Sequence, residues 1–386
     1  MQPLSNKTAK LSDSVIRRMT RISLDCGAIN LSQGFPDFDP PKALMDRLAQ
    51  VAYEGPHQYS PTWGNKNYRD ALCKKQTQFL GIPLDSDDNI LATCGSTEAM
   101  MAALMAITNP GDKIVLFSPF FENYAAQSLL LSTESIYIPL TPPSYDFDPN
   151  QLEDAFKQGA KAMILCNPSN PSGKVFTYDE LKTIADLAIK YDVYVITDEV
   201  YEHIVYEPNK YTYMAALPGM WERTICCSSL SKTYSITGWR LGYVVACKEI
   251  VDRCKKMHDF LTVCAPSPLQ EAAIAGLSQP LSYYDELRDH YTHMKQIFTD
   301  GLRNLNINFT DPQGAYFVMV DISEFSHGDD VQFCEDLAHK VGVGAVPGSS
   351  FFKEDVRHLA RFHFAKKDET LYAALDRLSS IREKMK

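Results

Sequence analysis

Four short segments of this chain hold residue types suited to covalent and acid–base chemistry. The first is Ser228-Ser229-Leu230-Ser231-Lys232-Thr233-Tyr234, with Arg240 a little further on. Lys232 follows an apolar run and stands among hydroxyls and aromatics. A lysine withdrawn from water gives up its proton more readily and can condense with an aldehyde, while clustered hydroxyls and an arginine suit a phosphate. A polar loop with a solvated lysine is the plain alternative. The second segment is Asp198-Glu199-Val200-Tyr201, directly after the run Val193–Thr197. A carboxylate at the mouth of a buried sheet is costly without a cationic or protonated partner, so Asp198 reads either as a helix cap or as the partner of a positive ring nitrogen. In the third, Cys94-Gly95-Ser96-Thr97-Glu98, glycine and small hydroxyls open a helical pattern. Free amides at such an end bind phosphate, although any capped helix begins this way. The fourth, Asn167-Pro168-Ser169-Asn170-Pro171-Ser172-Gly173, holds two asparagines between prolines, a stiff mount for a hydrogen-bond donor or simply a double turn.

These segments need elements to position them. Apolar, β-branched runs at 89–93, 113–117, 135–140, 162–166, 193–197, 224–228 and 241–246 alternate with amphipathic stretches such as 97–108 and 178–190. Continuous apolar strands separated by helices predict a largely parallel sheet covered on both faces, with ligands outside the carboxyl ends of the strands. After about Leu277 the pattern changes to a long polar helix over 283–305, a strand at 315–320, a helix at 329–341, a strand at 359–364 and a charged helix. The segment before Pro41 has few periodic features, and Gly34–Pro41 reads as a rigid connector. The expected organisation is an N-terminal segment (1–44) joining a small α+β domain (281–386), and a large α/β domain (45–280) between them.

Composition narrows the function classes. The chain has 386 residues, 45% hydrophobic and 22% charged, which suits a multidomain globular protein. Its 38 Lys and Arg against 48 Asp and Glu give a formal net charge of −10, the wrong sign for binding nucleic acid or anionic lipid. No apolar stretch approaches the roughly 18 residues of a membrane span, and the first ten residues lack the apolar run of a signal peptide, so a cytoplasmic location is expected. The ten cysteines show no C-x-x-C spacing and mostly lie in apolar runs, where a thiol acts as a small buried hydrophobe; no metal site is expected. No G-x-G-x-x-G follows the first strands, which argues against a dinucleotide site.

In combination, Asn170-Pro171-x-Gly173, Asp198-x-x-Tyr201, Ser229-x-x-Lys232 and Arg240 resemble, in order and spacing, the fold-type I pyridoxal-5'-phosphate-dependent aminotransferases of class I/II, over nearly the whole chain. The segments Asn30–Phe38, Gln58-Tyr59, Pro119-Phe120-Phe121-x-x-Tyr124 and Arg361-Phe362-x-Phe364 resemble the branch of methionine and kynurenine/glutamine aminotransferases. That resemblance implies a mostly parallel seven-stranded sheet sandwiched by helices, pyridoxal 5'-phosphate (PLP) as cofactor, and a homodimer with shared active sites. It implies that Lys232 is covalent anchor and proton shuttle, that Asp198 keeps the ring nitrogen protonated, and that Tyr201 and Asn170 donate to the ring's phenolic oxygen. Phe121 would stack on the ring. Ser96, Thr97, Ser229, Arg240 and a second subunit's Tyr59 would hold the phosphate. Arg361, with Asn170 and the Gly34 backbone, would clamp the substrate α-carboxylate. The substrate side chain would meet Ile16, Phe35 and Thr97, with Val263 and Cys264 of the partner; these are apolar or small, and no second cation is expected beside it unless Arg17, Arg18 or Arg21 folds over the entrance. Methionine, phenylalanine, leucine and glutamine are therefore the expected donors, with a C–S β-lyase or a non-enzymatic PLP-sensing domain as alternatives.

Overall fold

The computed structural model describes residues 2–11 and 13–385. A two-residue strand β1 (Ile29–Asn30) precedes β2 (Ile90–Thr93), β3 (Lys113–Ser118), β4 (Glu134–Pro139), β5 (Ala160–Cys166), β6 (Tyr194–Asp198), β7 (Thr224–Ser229) and β8 (Gly242–Val245). Strands β2 to β8 form one sheet in the order β2-β8-β7-β6-β5-β3-β4. Neighbours from β4 across to β7 pair in parallel, whereas β8 runs antiparallel to both β7 and β2. The link between β7 and β8 holds only turns, among them the single 3-10 turn Thr237–Trp239, and no crossover helix that would bring the chain back parallel. Lys232 and Arg240 sit in that link.

Alternation along the strands divides the core. Ile114, Leu116, Ile164, Ile196 and Ile225 pack with Ala99, Leu104, Ile250 and Val251 of the helices Ser96–Ile107 and Lys248–Thr262 on one face. Val115, Met163, Leu165 and Val195 pack on the other face with Leu152, Phe156, Leu181 and Ile184. Both faces are thus covered, and the strand ends at Thr93, Ser118, Cys166, Asp198 and Ser229 emerge along one edge.

Beyond these lie β9 (Phe317–Asp321), β10 (Val343–Gly344), β11 (Val346–Pro347) and β12 (Leu359–His363). An antiparallel sheet β11-β12-β9 packs beneath the helices Ser282–Asn304 and Asp368–Leu378 through Phe298, Leu302, Val318, Phe362 and Leu371. The N-terminal segment joins this layer. β1 pairs in parallel with β10, Ile29 opposite Val343, and Met19 and Leu31 enter the same core cluster. Contrary to the featureless reading of this segment, Val15–Asp25 is a helix that buries Ile16, Met19 and Ser23, with Ser14 as its N-cap. Val15, Ile16, Met19 and Ile22 recur at helical spacing with Arg17, Arg18 and Arg21 on the outward side, so the helical period is present in the sequence. Among the described residues no helix is long and apolar enough to cross a membrane, and no three metal-ligating side chains come together. All ten cysteines are free.

Candidate active site

A cavity opens where the strand ends of the large sheet face β9 and β12, and the fold explains which side chains reach it. Asp198 is the last residue of β6, buried, and its Oδ2 accepts a hydrogen bond from the Tyr124 hydroxyl at 2.6 Å. Its Oδ1 is buried and has no hydrogen-bond partner among the described residues. Burial pushes the carboxyl above its ordinary range, against the Tyr124 hydrogen bond, a backbone N–H from Val200 and the nearby Lys232. Tyr124, 3% exposed, comes from the first turn of the helix Glu122–Leu131. Nothing in the spacing Phe121-x-x-Tyr124 assigns this tyrosine a role, because only the folded chain shows that its hydroxyl crosses to β6.

Lys232 reaches the cavity from the β7–β8 link, and its Nζ donates to the Gly34 carbonyl at 3.0 Å. Tyr316 donates to the same carbonyl at 2.8 Å. Desolvation lowers the lysine to about 8, with Arg240 and Arg361 acting in the same direction and Asp198 opposing them. Roughly a tenth of it is then neutral at pH 7. Tyr201 is buried edge-on to the rings of Tyr316 and Phe317, and burial raises its pKa, so its hydroxyl keeps a proton to donate. Cys166 also lines the cavity, but burial pushes its thiol up to about 12, which leaves no thiolate nucleophile there.

At the opposite end, Ser96 and Thr97 open the helix Ser96–Ile107 after Gly95, whose φ is +83°. A Cβ at Gly95 would collide with the Arg240 guanidinium, and one at Gly242 with the backbone of Gly95 and Ser96. Two glycines thus clear a cradle in which first-turn amides, Ser229 and Arg240 converge. Arg240 itself is left-handed at φ 54°, a conformation costing about 1 kcal/mol that the surrounding structure must impose.

Arg361, on β12, is 1% exposed. Its Nη1 donates to Asn170 Oδ1 at 2.6 Å and its Nη2 to the Ser32 carbonyl at 2.7 Å. The rings of Phe317 and Phe351 lie 4.3 and 4.7 Å from it. Burial lowers it to about 10, which leaves it charged at neutrality, and its buried Nε has no partner among the described residues. A desolvated guanidinium without an ion pair is a site waiting for an anion.

Gly34, Ile16, Phe121, Asn170, Tyr201 and Ser229 also line this one cavity. Phe121 faces it, whereas Phe120 turns away against Tyr137. One residue expected from this chain is elsewhere, as are the three expected from a second subunit. Phe35 is off the cavity wall, because a tight turn with its N–H on the Gln33 carbonyl sends the ring to Lys366, whose Nζ lies 4.5 Å from the ring centre. Tyr59 is 82% exposed and does not line this cavity, nor do Val263 and Cys264. Of the three arginines that could cover the entrance, Arg17 lines the cavity, together with Ser14, Glu122 and Asn123. The short helix Val15–Asp25, unread in the sequence, carries it there.

The unpartnered Asp198 oxygen, the glycine-cleared cradle and the lysine between them fit PLP: an acid for a ring nitrogen, a phosphate seat and an amine. Comparison with known proteins agrees. Residues 27–378 match the family model for aminotransferase class I and II. The methionine aminotransferase of Escherichia coli is 34% identical over 97% of this chain and 98% of its own length. Its crystal structure superposes with a TM-score of 0.94 over 98% of this chain and 100% of that one. A probable N-succinyldiaminopimelate aminotransferase of Mycobacterium tuberculosis is 32% identical over 96% of both chains. A probable kynurenine–oxoglutarate transaminase of Saccharomyces cerevisiae is 32% identical over 92% of this chain and 87% of its own.

Proposed function

The chain belongs to the class I and II aminotransferases, PLP-dependent enzymes acting on amino and 2-oxo acids, and from that premise we propose that its amino donors are apolar, thioether or aromatic L-amino acids and glutamine. The observation that supports this choice is the cavity wall itself: Ile16, Thr97, Phe121 and Phe317 face the space beside Arg361. A distal carboxylate there meets apolar surface at a cost of several kcal/mol unless a cation compensates it. Arg17, at the solvent-exposed rim, compensates weakly because water screens it.

When bound, PLP supplies an aldehyde for covalent capture of the amine and a ring that accepts the electrons left when the Cα proton departs. The protein's residues do the rest. Arg361 binds the α-carboxylate with the buried donors left to it, and so orients Cα towards Lys232. Lys232, with its lowered pKa, takes the Cα proton and returns it on the far side of the transfer. Asp198, whose Oδ2 is fixed by Tyr124, would keep a proton on the ring nitrogen through Oδ1. Tyr201 and Asn170 would donate to the phenolic oxygen, and Ser96, Thr97, Ser229 and Arg240 would hold the phosphate.

We also propose a homodimer in which Tyr59 completes the phosphate seat of a second copy. Tyr59, Phe260 and Val263 are exposed to 82%, 91% and 49%, apolar surface that a second subunit would cover. The donor proposal is tested by kcat/KM for methionine, phenylalanine, glutamine, kynurenine and aspartate against one common 2-oxo acid. The expected order puts methionine, phenylalanine and glutamine first; aspartate first overturns it.

A further inference from the structure

On the donor reading above, we propose that Arg17 and Glu122 read the far end of the substrate side chain as a donor–acceptor pair, and that they favour a side chain ending in a carboxamide. Both residues line the cavity that holds Lys232 and Arg361. Arg17 lies in the first turn of the helix Val15–Asp25, exposed, and its guanidinium forms no ion pair or hydrogen bond among the described residues. Its neighbour Arg18, by contrast, is tied to Glu335. Glu122 begins the helix Glu122–Leu131.

One hydroxyl joins the Glu122 carboxylate to the backbone at Arg17. Ser14 Oγ donates to Glu122 Oε1 and accepts the Arg17 backbone N–H at 3.3 Å. Glu122 Oε2 takes no hydrogen bond among the described residues, and the two opposite charges, both on the wall of this cavity, form no ion pair with each other. The other cations of the cavity already have work: Arg361 for the α-carboxylate, Arg240 and Lys232 for the cofactor. What remains at the mouth is a set of guanidinium donors beside an open carboxylate oxygen.

Three kinds of side-chain end compare simply against that pair. A thioether or hydrocarbon leaves both groups to water. A carboxylate satisfies Arg17 but faces the like charge of Glu122. A carboxamide gives its carbonyl to Arg17 and an N–H to Glu122. Because both residues are partly solvated, the discrimination is modest, about tenfold rather than the several powers of ten seen where such a pair is buried.

The test uses the PLP-loaded enzyme with glutamine, methionine and glutamate as donors, in wild type, Arg17→Met and Glu122→Gln. Arg17→Met should lower the glutamine-to-methionine ratio of kcat/KM about tenfold with methionine little changed. Glu122→Gln keeps an acceptor for Ser14 but removes the charge, and should raise glutamate relative to glutamine by a similar factor. Glutaramate, the deamino analogue of glutamine that cannot react, should inhibit wild type competitively and lose affinity about tenfold in Arg17→Met. Ratios and glutaramate inhibition that do not change in Arg17→Met overturn the pair while leaving the donor reading intact. Wild type that turns over none of these amino acids overturns both.

Discussion

Lys232 shows at the scale of one residue how function and stability oppose each other. Its folded-state pKa, about 8 against an ordinary 10.5, lies below the unfolded value. The unfolded chain therefore binds more protons between those two pH values, so stability rises with pH across that window, and the full penalty is present below about 8. Lys232→Met should abolish transamination yet stabilise the cofactor-free protein by about 1–2 kcal/mol at pH 7, with the gain fading towards pH 10.5. Calorimetry at pH 7 and pH 10 checks it; an equal change in Tm at both values argues against a desolvated ammonium. Tyr124 offers the complementary case. Removing its hydroxyl takes away the hydrogen bond that lowers Asp198, so the carboxyl rises further and binds a proton of its own nearer neutrality. Tyr124→Phe should lower kcat about tenfold with a small change in KM and move the acid limb of the kcat profile to higher pH. An unmoved acid limb removes Tyr124 from the proton chemistry.

Among elements, the β7–β8 link and the Gly95 turn show what a sequence discloses. Lys232, Asp198, Asn170, Ser96 and Ser229 were legible because each follows an apolar run, and a parallel sheet sends such positions to one edge. Tyr124 and Ser14 were not, since nothing local says that a tyrosine hydroxyl will cross to β6; the amphipathic period of 15–25 was legible, and Arg17 stood out in the sequence only as a cation able to cover the entrance. Phe35 was misplaced for a related reason: spacing fixes where its backbone runs, but the Gln33 turn decides where its ring points. Gly95 carries a prediction of its own. At φ +83°, with the Arg240 guanidinium where a Cβ would go, Gly95→Ala should fold, by circular dichroism, and bind PLP at least about tenfold more weakly in a direct titration. Unchanged PLP affinity moves the phosphate seat away from this turn.

For the molecule as a whole, sequence order and spatial order diverge most at the ends of the chain. The change of pattern after Leu277 was readable, as was the strand bearing Arg361; that β1 would pair with β10 was not, because a two-residue strand carries no periodic signal. Shared sites can be tested by mixing an inactive Lys232→Ala chain with a Tyr59→Ala chain that holds PLP poorly. Mixed dimers should exceed the activity of either parent, since one of their two sites then has Lys232 and Arg361 from the Tyr59→Ala chain and an intact Tyr59 from the Lys232→Ala chain. No recovery in demonstrably mixed dimers excludes the shared seat. The β1–β10 pairing also sets a schedule for synthesis. Ile29 leaves the ribosome roughly 300 residues before Val343, an interval of about 15–60 s at ordinary elongation rates. Throughout that time the helix over the cavity has no mate for its strand, and neither β12 nor its arginine exists, so a nascent chain has no pocket to seal and its amphipathic leading segment stays open to chaperones and proteases until translation is almost complete.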